Sequence, residues 1–422
     1  IMEVVVTVNR FDFEEVKKDI TEEKTHELSN YCLNCKNPLC KTGCPLEIDI
    51  PRFISALKEG NYELAYTIIS EKSVMPEVCG RVCPQELNCE AKCIRGIKGK
   101  SVSIGELERF ASKYKTNLSV NSSNGKSVAI VGSGPFGLSA AYHLKRYGFD
   151  VTVFESSHVL GGVLVYGIPE FRLPKKIVGD IIEKLEGLGV KFLTDIYVGR
   201  TITLEELKEK YDYIFIGTGA GVPKSLKVPG IMAKNVMSAN ELLTRINLMK
   251  SPFNETPLNI PKKAAVIGGG NVACDAARCL VRLGSDVTVF YRKGEENLKM
   301  RLEEYNHAKE EGVKFVFNAT PVKMETTDDF CVNSLVYKID NKRQSDKVDA
   351  VIIAIGTTHN DLLLKLADLE VDSDHRIITH DFITSDAFIF AGGDATRGNA
   401  TVIEALSDGY LAAKKLLEIV NK

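Results

Sequence analysis

A chain of 422 residues is longer than one ordinary hydrophobic core, so two or three domains are expected. With 44% hydrophobic and 26% charged residues and a formal net charge of −2, it offers no electrostatic footprint for nucleic acid or an anionic membrane. No apolar run approaches the length that spans a bilayer.

The first stretch, IMEVVVTVNRFDFEEVKKD, lacks the basic flank and small-residue cleavage site of a signal peptide, and a cytoplasmic chain is expected. In a reducing compartment, clustered thiols bind metal or do redox chemistry rather than form disulfides. Of 11 cysteines, eight lie between Cys32 and Cys93. One run reads Cys32-x2-Cys35-x4-Cys40-x3-Cys44-Pro45; the other reads Cys79-x3-Cys83-Pro84 and then Cys89-x3-Cys93. Spacings of two to four residues aim several thiolates at one centre. A proline after the last cysteine is a habit of ferredoxin-type [4Fe–4S] segments, whose last thiolate often ligates the other cluster. Eight thiolates could hold two such clusters. Zinc competes as a reading, although its fingers favour well-separated CxxC-type knuckles. Between the runs, IPRFISALKEGNYELAYTIISE has helical periodicity, which predicts a small helical cluster-binding domain over residues 1–122.

The rest of the chain contains a repeat. Residues 128–155, VAIVGSGPFGLSAAYHLKRYGFDVTVFE, and 264–291, AAVIGGGNVACDAARCLVRLGSDVTVFY, each run from an apolar strand through a glycine turn into an Ala-rich helix and a second strand, DVTVF. This is the unit that holds a pyrophosphate at a helix N-terminus. The turns are Gly132-Ser133-Gly134-Pro135-x-Gly137 and Gly268-x-Gly270-Asn271-Val272-Ala273. Glu155 ends the first unit and suits the ribose hydroxyls of an adenosine. In the second, Tyr291 takes that place and Arg292 and Lys293 follow, two cations that favour the 2′-phosphate of NADP. The first unit is therefore expected to hold FAD and the second NADPH. Strands ending near Gly219 and Gly356 follow each unit at matching places. Near the C-terminus, Gly393-Asp394 precedes a helix beginning about Thr401. The expected fold is α/β: the helical domain, then a tandem Rossmann-like flavoprotein with FAD segments 123–240 and 365–422 and an inserted NADPH segment 241–364.

The strings VCGRVCPQE, GELERF, GGVLVYGIPEFRLPK, SANELLTRINLM and GGGNVACDAARCLVRLG carry a family resemblance over residues from about 30 to the C-terminus. The chain resembles the small (β) subunit of glutamate synthase. Its relatives include the large subunit of bifurcating NADH-dependent ferredoxin:NADP oxidoreductase and the N-terminal half of dihydropyrimidine dehydrogenase. The resemblance implies an electron-input module in which a hydride passes from NADPH to FAD and single electrons leave through two clusters to a partner. It implies crossed ligation, with Cys32, Cys35, Cys40 and Cys93 on one cluster. Cys44, Cys83 and Cys89 would hold the other, with Cys79 or Glu108 as its fourth ligand. It also implies FAD-binding positions at Gly162, Gly219, Gly393, Asp394 and Thr401, and NADPH-binding positions at Asn271, Val272 and Gly356. The implied partner is a glutamate synthase large subunit or a ferredoxin-reductase-like subunit, with ferredoxin a further candidate. Phe136 stands where relatives carry alanine, so the flavin turn is expected to accommodate a ring near the pyrophosphate. GEENLKM after Lys293 also departs from the usual wording.

A disulfide reductase would share the nucleotide fold. Cys274 and Cys279 have the spacing of a redox pair but sit on the helix of the second unit, where core packing is the simpler reading. No nucleophile elbow points to a hydrolase.

Overall fold

The computed structural model describes residues 11–116, 118–250, 258–359, 368–398 and 400–421. The expected boundary at 364/365 and the first ten residues lie outside them. The chain forms two compact units, one of residues 15–164, 172–220 and 359–422, the other of 1–14, 165–171 and 221–358.

In the first unit, helices α1 (Glu22–Tyr31), α2 (Leu39–Gly43), α3 (Ile50–Lys58), α4 (Tyr62–Ser70), α5 (Pro76–Val82) and α6 (Ile104–Ala111) carry the two cysteine runs. The single helical pattern read between the runs is two helices. Gly60 takes φ +73° and ends α3, and the Asn61 side chain accepts from the Leu64 N–H at 3.1 Å to cap α4. Helix α5 starts on Pro76 and lies on α6 at Gly80, where a Cβ would run into the Arg109 backbone nitrogen. Residues 15–19 strap down over this seam. Arg109 pairs with Glu15 at 3.0 Å and Asp19 at 2.9 Å, and Arg81 with Glu15 at 2.8 Å.

The same unit holds a parallel sheet in the order Ile389–Ala391, Tyr213–Ile216, Ser127–Val131, Asp150–Phe154, Lys191–Leu193. Helix Pro135–Arg146 follows the first glycine turn, and the C-terminal helix Val402–Val420 packs along it, with the Ser139 hydroxyl donating to Leu406 O at 2.7 Å. Helix Pro135–Arg146 also grips the helical part. Tyr142 donates to Ser70 O at 3.0 Å, and His143 Nε2 lies 3.1 Å from Lys72 O, which accepts its proton. These carbonyls lie at and just past the C-terminal end of α4, where intrahelical donors run out.

The second unit repeats the arrangement, with a parallel sheet ordered Val236–Ser238, Ala350–Ile353, Lys263–Ile267, Asp286–Phe290, Lys314–Val316. Val236–Ser238 pairs with Ala350–Ile353, and Val222–Pro223 with Thr357–Thr358, so the stretch 221–358 belongs to this unit. A three-stranded antiparallel sheet, Thr320–Thr326, Val332–Ile339 and Lys342–Lys347, packs beside it. Arg278, fully buried, pairs with Glu304 and Glu311 and stacks on Phe171 at 4.5 Å. Among the described residues no helix is long and apolar enough to cross a membrane.

Candidate functional sites

The eight clustered thiols separate into two groups that do not follow the two runs. Cys32, Cys35, Cys40 and Cys93 line one pocket, together with Leu33, Leu39 and Ile54. Burial pushes the Cys40 thiol up to about 11, and the neighbouring Cys32, Cys93 and Cys35 add to the effect. In the other group, burial raises Cys79 and Cys89 well above the ordinary thiol range. Glu108, Cys83 and Cys44 add to the shift at Cys79, and Cys83, Cys44 and Glu108 do so at Cys89.

Backbone chemistry explains why Cys44 leaves its own run. Four residues after Cys40, it would share a helical face with it. However, α2 ends at Gly43, and Cys44 is extended at φ −91°, ψ 122°. Cys83 after α5 is likewise extended at φ −64°, ψ 135°. Both precede a proline, Pro45 and Pro84, whose ring disfavours helical backbone in the residue before it. Gly43 lets the first run seat against Asn88 of the second, since a Cβ there would lie 2.7 Å from Asn88 O.

Of the two candidates for completing the second group, Cys79 lies on α5, fully buried, with Ser73 Oγ 3.9 Å from its sulfur. Glu108 lies on α6, also buried, and its Oε1 has no hydrogen-bond partner. Burial first, then Glu77 and Glu90, push its carboxyl up to about 8. A negative charge at that point calls for a cation such as iron. Among the described residues, no three His, Cys, Asp or Glu side chains converge as they would on a single ion. The four ligands of a cubane sit on separate irons and stand farther apart. The thiols therefore form one half-exposed and one buried group, a donor set that suits iron–sulfur ligation.

Polar groups around the thiols were not singled out from the sequence. Asn88 donates toward Cys83 Sγ at 3.6 Å, Gln85 to Cys79 O at 2.8 Å, and Glu90 accepts from the Gly105 N–H at 3.0 Å. They are the polar letters of CPQELNCE, whose cysteines drew the attention. Such donors tune a cluster's potential.

At the first glycine turn, Gly132 takes φ +101°, and nothing lies within 4 Å of where a Cβ on Gly134 would stand. That open cradle fits a pyrophosphate. Glu155 is buried; its Oε2 accepts from Ser133 N at 2.9 Å and Ser133 Oγ at 2.5 Å, and its Oε1 from Ser157 N at 2.9 Å. Ser133 Oγ in turn accepts from Gly161 N at 3.0 Å, which brings Gly162 against Gly134. Pro135 and Gly137 open the helix, and Gly219 adopts φ +70°. The Gly393 N–H donates to buried Asp408 at 3.0 Å, and Arg397 holds the same carboxylate at 2.6 and 2.8 Å. Asp394 accepts from Ala400 N at 3.0 Å; burial, with Glu404 and Asp408 nearby, pushes it up to about 6. Thr401 caps the C-terminal helix in a reciprocal box with Glu404.

The expectation for Phe136 is corrected. Its ring is 2% exposed and lies in the core, where Gly217 and Gly392 leave room for it, and it stacks toward Phe215 at 6.3 Å. The ring is buried among Gly217, Gly392 and Phe215 at the strand ends rather than exposed at the turn.

At the second turn, Gly268 takes φ +157° and Gly270 is open in front. Asn271 accepts from Arg301 N at 2.9 Å, Val272 is half-exposed at 44%, and Gly356 takes φ +99°. Tyr291 packs on Gly269 and donates to Asn297 O at 2.8 Å, and Lys299 N donates to Gly269 O at 2.9 Å. The unusual GEENLKM stretch thus folds back onto the turn. Arg292 and Lys293 are exposed, and among the described residues neither forms an ion pair. Cys274 and Cys279 are fully buried on helix Asn271–Arg282.

Two parallel dinucleotide sheets behind a thiol-rich helical segment define a class. Residues 126–409 match the family profile "Pyridine nucleotide-disulphide oxidoreductase", and residues 9–120 match "Dihydropyrimidine dehydrogenase domain II, 4Fe-4S cluster". The chain belongs to the pyridine nucleotide-disulphide oxidoreductase family and carries a 4Fe–4S domain in front of its FAD/NADP-binding fold. It is 32% identical to "Glutamate synthase [NADPH] small chain" of Escherichia coli K12, over 97% of this chain and 94% of that one. It is 31% identical to "NADPH-Fe(3+) oxidoreductase subunit beta" of Geobacter sulfurreducens, over 89% of this chain and 62% of that one. The solved structure of Mycobacterium tuberculosis FprA in complex with NADPH shares the fold, with a TM-score of 0.59 at 18% identity, over 70% of this chain and 85% of that one.

Proposed function

We propose that this chain is an NADPH-linked electron-input module of the glutamate synthase small-subunit type, working with an electron-accepting partner subunit in the cytoplasm. The observation that carries it is the regrouping of the thiols, which supports two [4Fe–4S] centres: Cys32, Cys35, Cys40 and Cys93 for one, Cys44, Cys83 and Cys89 for the other. The orphan Oε1 of Glu108 favours that residue over Cys79 as the eighth ligand. FAD would lie on the Gly132–Gly137 turn with Glu155 toward its ribose, and NADPH on Gly268–Ala273 with Arg292 and Lys293 toward its 2′-phosphate. The working division of the chain keeps residues 1–122 for the clusters, 123–240 and 365–422 for FAD and 241–364 for NADPH. A bound flavin accepts two electrons together and releases them singly, which couples a nicotinamide to one-electron centres.

The chain's own residues set the order. Ser407 of the helix capped by Thr401 donates to Pro45 O at 2.8 Å, next to Cys44, so the buried thiol group stands toward the flavin fold. The half-exposed group is then the exit. Anaerobic analysis of the holoprotein should give about eight irons and eight sulfides per chain, and NADPH should bleach the flavin and the centres together. Zinc without sulfide overturns the proposal.

A further inference from the structure

The stretch after the two proposed phosphate cations sets a problem of charge. Glu295 and Glu296 come three and four residues after Arg292, and all of Arg292, Lys293, Glu295 and Glu296 are exposed. A carboxylate that close along the chain can reach a guanidinium and neutralise it, and it repels a phosphate. Among the described residues, however, neither acid pairs with either cation. Neutral donors hold both acids instead. The Tyr305 hydroxyl donates to Glu295 Oε1 at 2.6 Å, and the Asn297 side-chain amide donates to Glu296 Oε1.

The Tyr305 donor is fixed from behind. Its side chain is 7% exposed on helix Leu302–Glu310, and its ring meets Phe315 edge-on at 4.8 Å, which sets the direction of the hydroxyl. The acceptor is fixed as well. Glu295 opens a short 3-10 turn, Glu295–Asn297, pinned over the second glycine turn by the Tyr291 hydroxyl on Asn297 O at 2.8 Å and by Lys299 N on Gly269 O at 2.9 Å. A charge-assisted bond from a buried hydroxyl outcompetes an exposed Arg–Glu pair, which is worth little in water. We propose that Tyr305 is a positioning residue for coenzyme specificity: by holding Glu295 it keeps Arg292 and Lys293 free for the 2′-phosphate of NADPH. This rests on the NADPH reading of the second turn given above.

Tyr305→Phe removes the hydroxyl and keeps the ring against Phe315, so the fold is retained. Binding is read on the holoprotein by titration calorimetry with 2′,5′-ADP, which carries the distinguishing phosphate, and with 5′-AMP, which lacks it. The variant should bind 2′,5′-ADP roughly 3- to 10-fold more weakly than wild type, with 5′-AMP binding unchanged. The KM for NADPH should rise by a like factor while that for NADH stays put. Adding Glu295→Gln to Tyr305→Phe should restore the wild-type affinity for 2′,5′-ADP, because the released side chain no longer carries a charge. Equal weakening of the two ligands, a loss that Glu295→Gln does not repair, or no loss at all overturns the proposal. A wild-type protein that binds 2′,5′-ADP no better than 5′-AMP would instead strike the NADPH reading itself, and the proposal with it.

Discussion

Glu108 and Arg292 are both proposed to meet a cofactor's charge. Replacing Glu108 with Ala should leave the Cys32 group's EPR signal intact and lose or convert the other to a three-iron species. Cys79→Ala, buried and bonded toward Ser73, should spare both signals. The reverse pattern would make Cys79 the ligand. Arg292→Ala should raise KM for NADPH about tenfold while KM for NADH hardly moves, since losing one cation beside a phosphate removes roughly 1–2 kcal/mol. Equal effects on the two coenzymes would remove the phosphate role. The role proposed for Arg292 comes from the sequence, because the residue sits at a fixed distance from a recognisable turn. The choice between Cys79 and Glu108 does not. It depends on how close Gly80 lets α6 approach α5, and one glycine in VCGRVCPQE does not announce that approach.

At the scale of elements, the prolines after Cys44 and Cys83 do more than mark a motif. Pro45→Ala frees the Cys44 backbone for a longer α2 and should cost about 0.4–1 kcal/mol through the unfolded chain alone. Thermal unfolding and the iron content of the purified variant would measure both consequences, and an unchanged iron content would show that Gly43 suffices to turn the thiol. The glycine turns, the helices after them and the paired DVTVF strands were readable because their period and turn chemistry are local. The burial of Phe136 was not, because Gly217 and Gly392, far along the chain, supply its space. Phe136→Ala should cost about 3–5 kcal/mol by leaving a cavity under the strand ends. A loss below 1 kcal/mol in chemical denaturation would mean the site collapses.

At the scale of the molecule, helix Pro135–Arg146 joins the flavin fold to the helical segment through His143, whose Nε2 donates to Lys72 O. Burial holds this imidazole down to about 3, against the ordinary 6.5. The unfolded chain takes up a proton near pH 6.5 that the folded one refuses until about pH 3. The unfolded state therefore binds more protons across that window, and stability falls as pH drops, by about 1.4 kcal/mol per unit at most. His143→Gln keeps a donor without the titration, so its stability should vary less between pH 6.5 and 4.5 than that of the wild type. Parallel curves for the two proteins would assign the acid sensitivity elsewhere. None of this was legible in a lone histidine, because its neighbours Lys72 and Tyr410 lie far from it in the sequence.

The crossed grouping of the thiols also bears on how the protein is made. Cys93 is the last of the eight cysteines to leave the ribosome, and the half-exposed group cannot close without it. Helix α6 and Glu108 follow Cys93 in the chain, so on the ligation proposed above the outer group has all four thiols before the buried group has its last ligand. The outer group is also the half-exposed one, so of the two proposed centres it is the one that oxidants reach first. A chain damaged at its exit would keep its inner centre as the template for rebuilding.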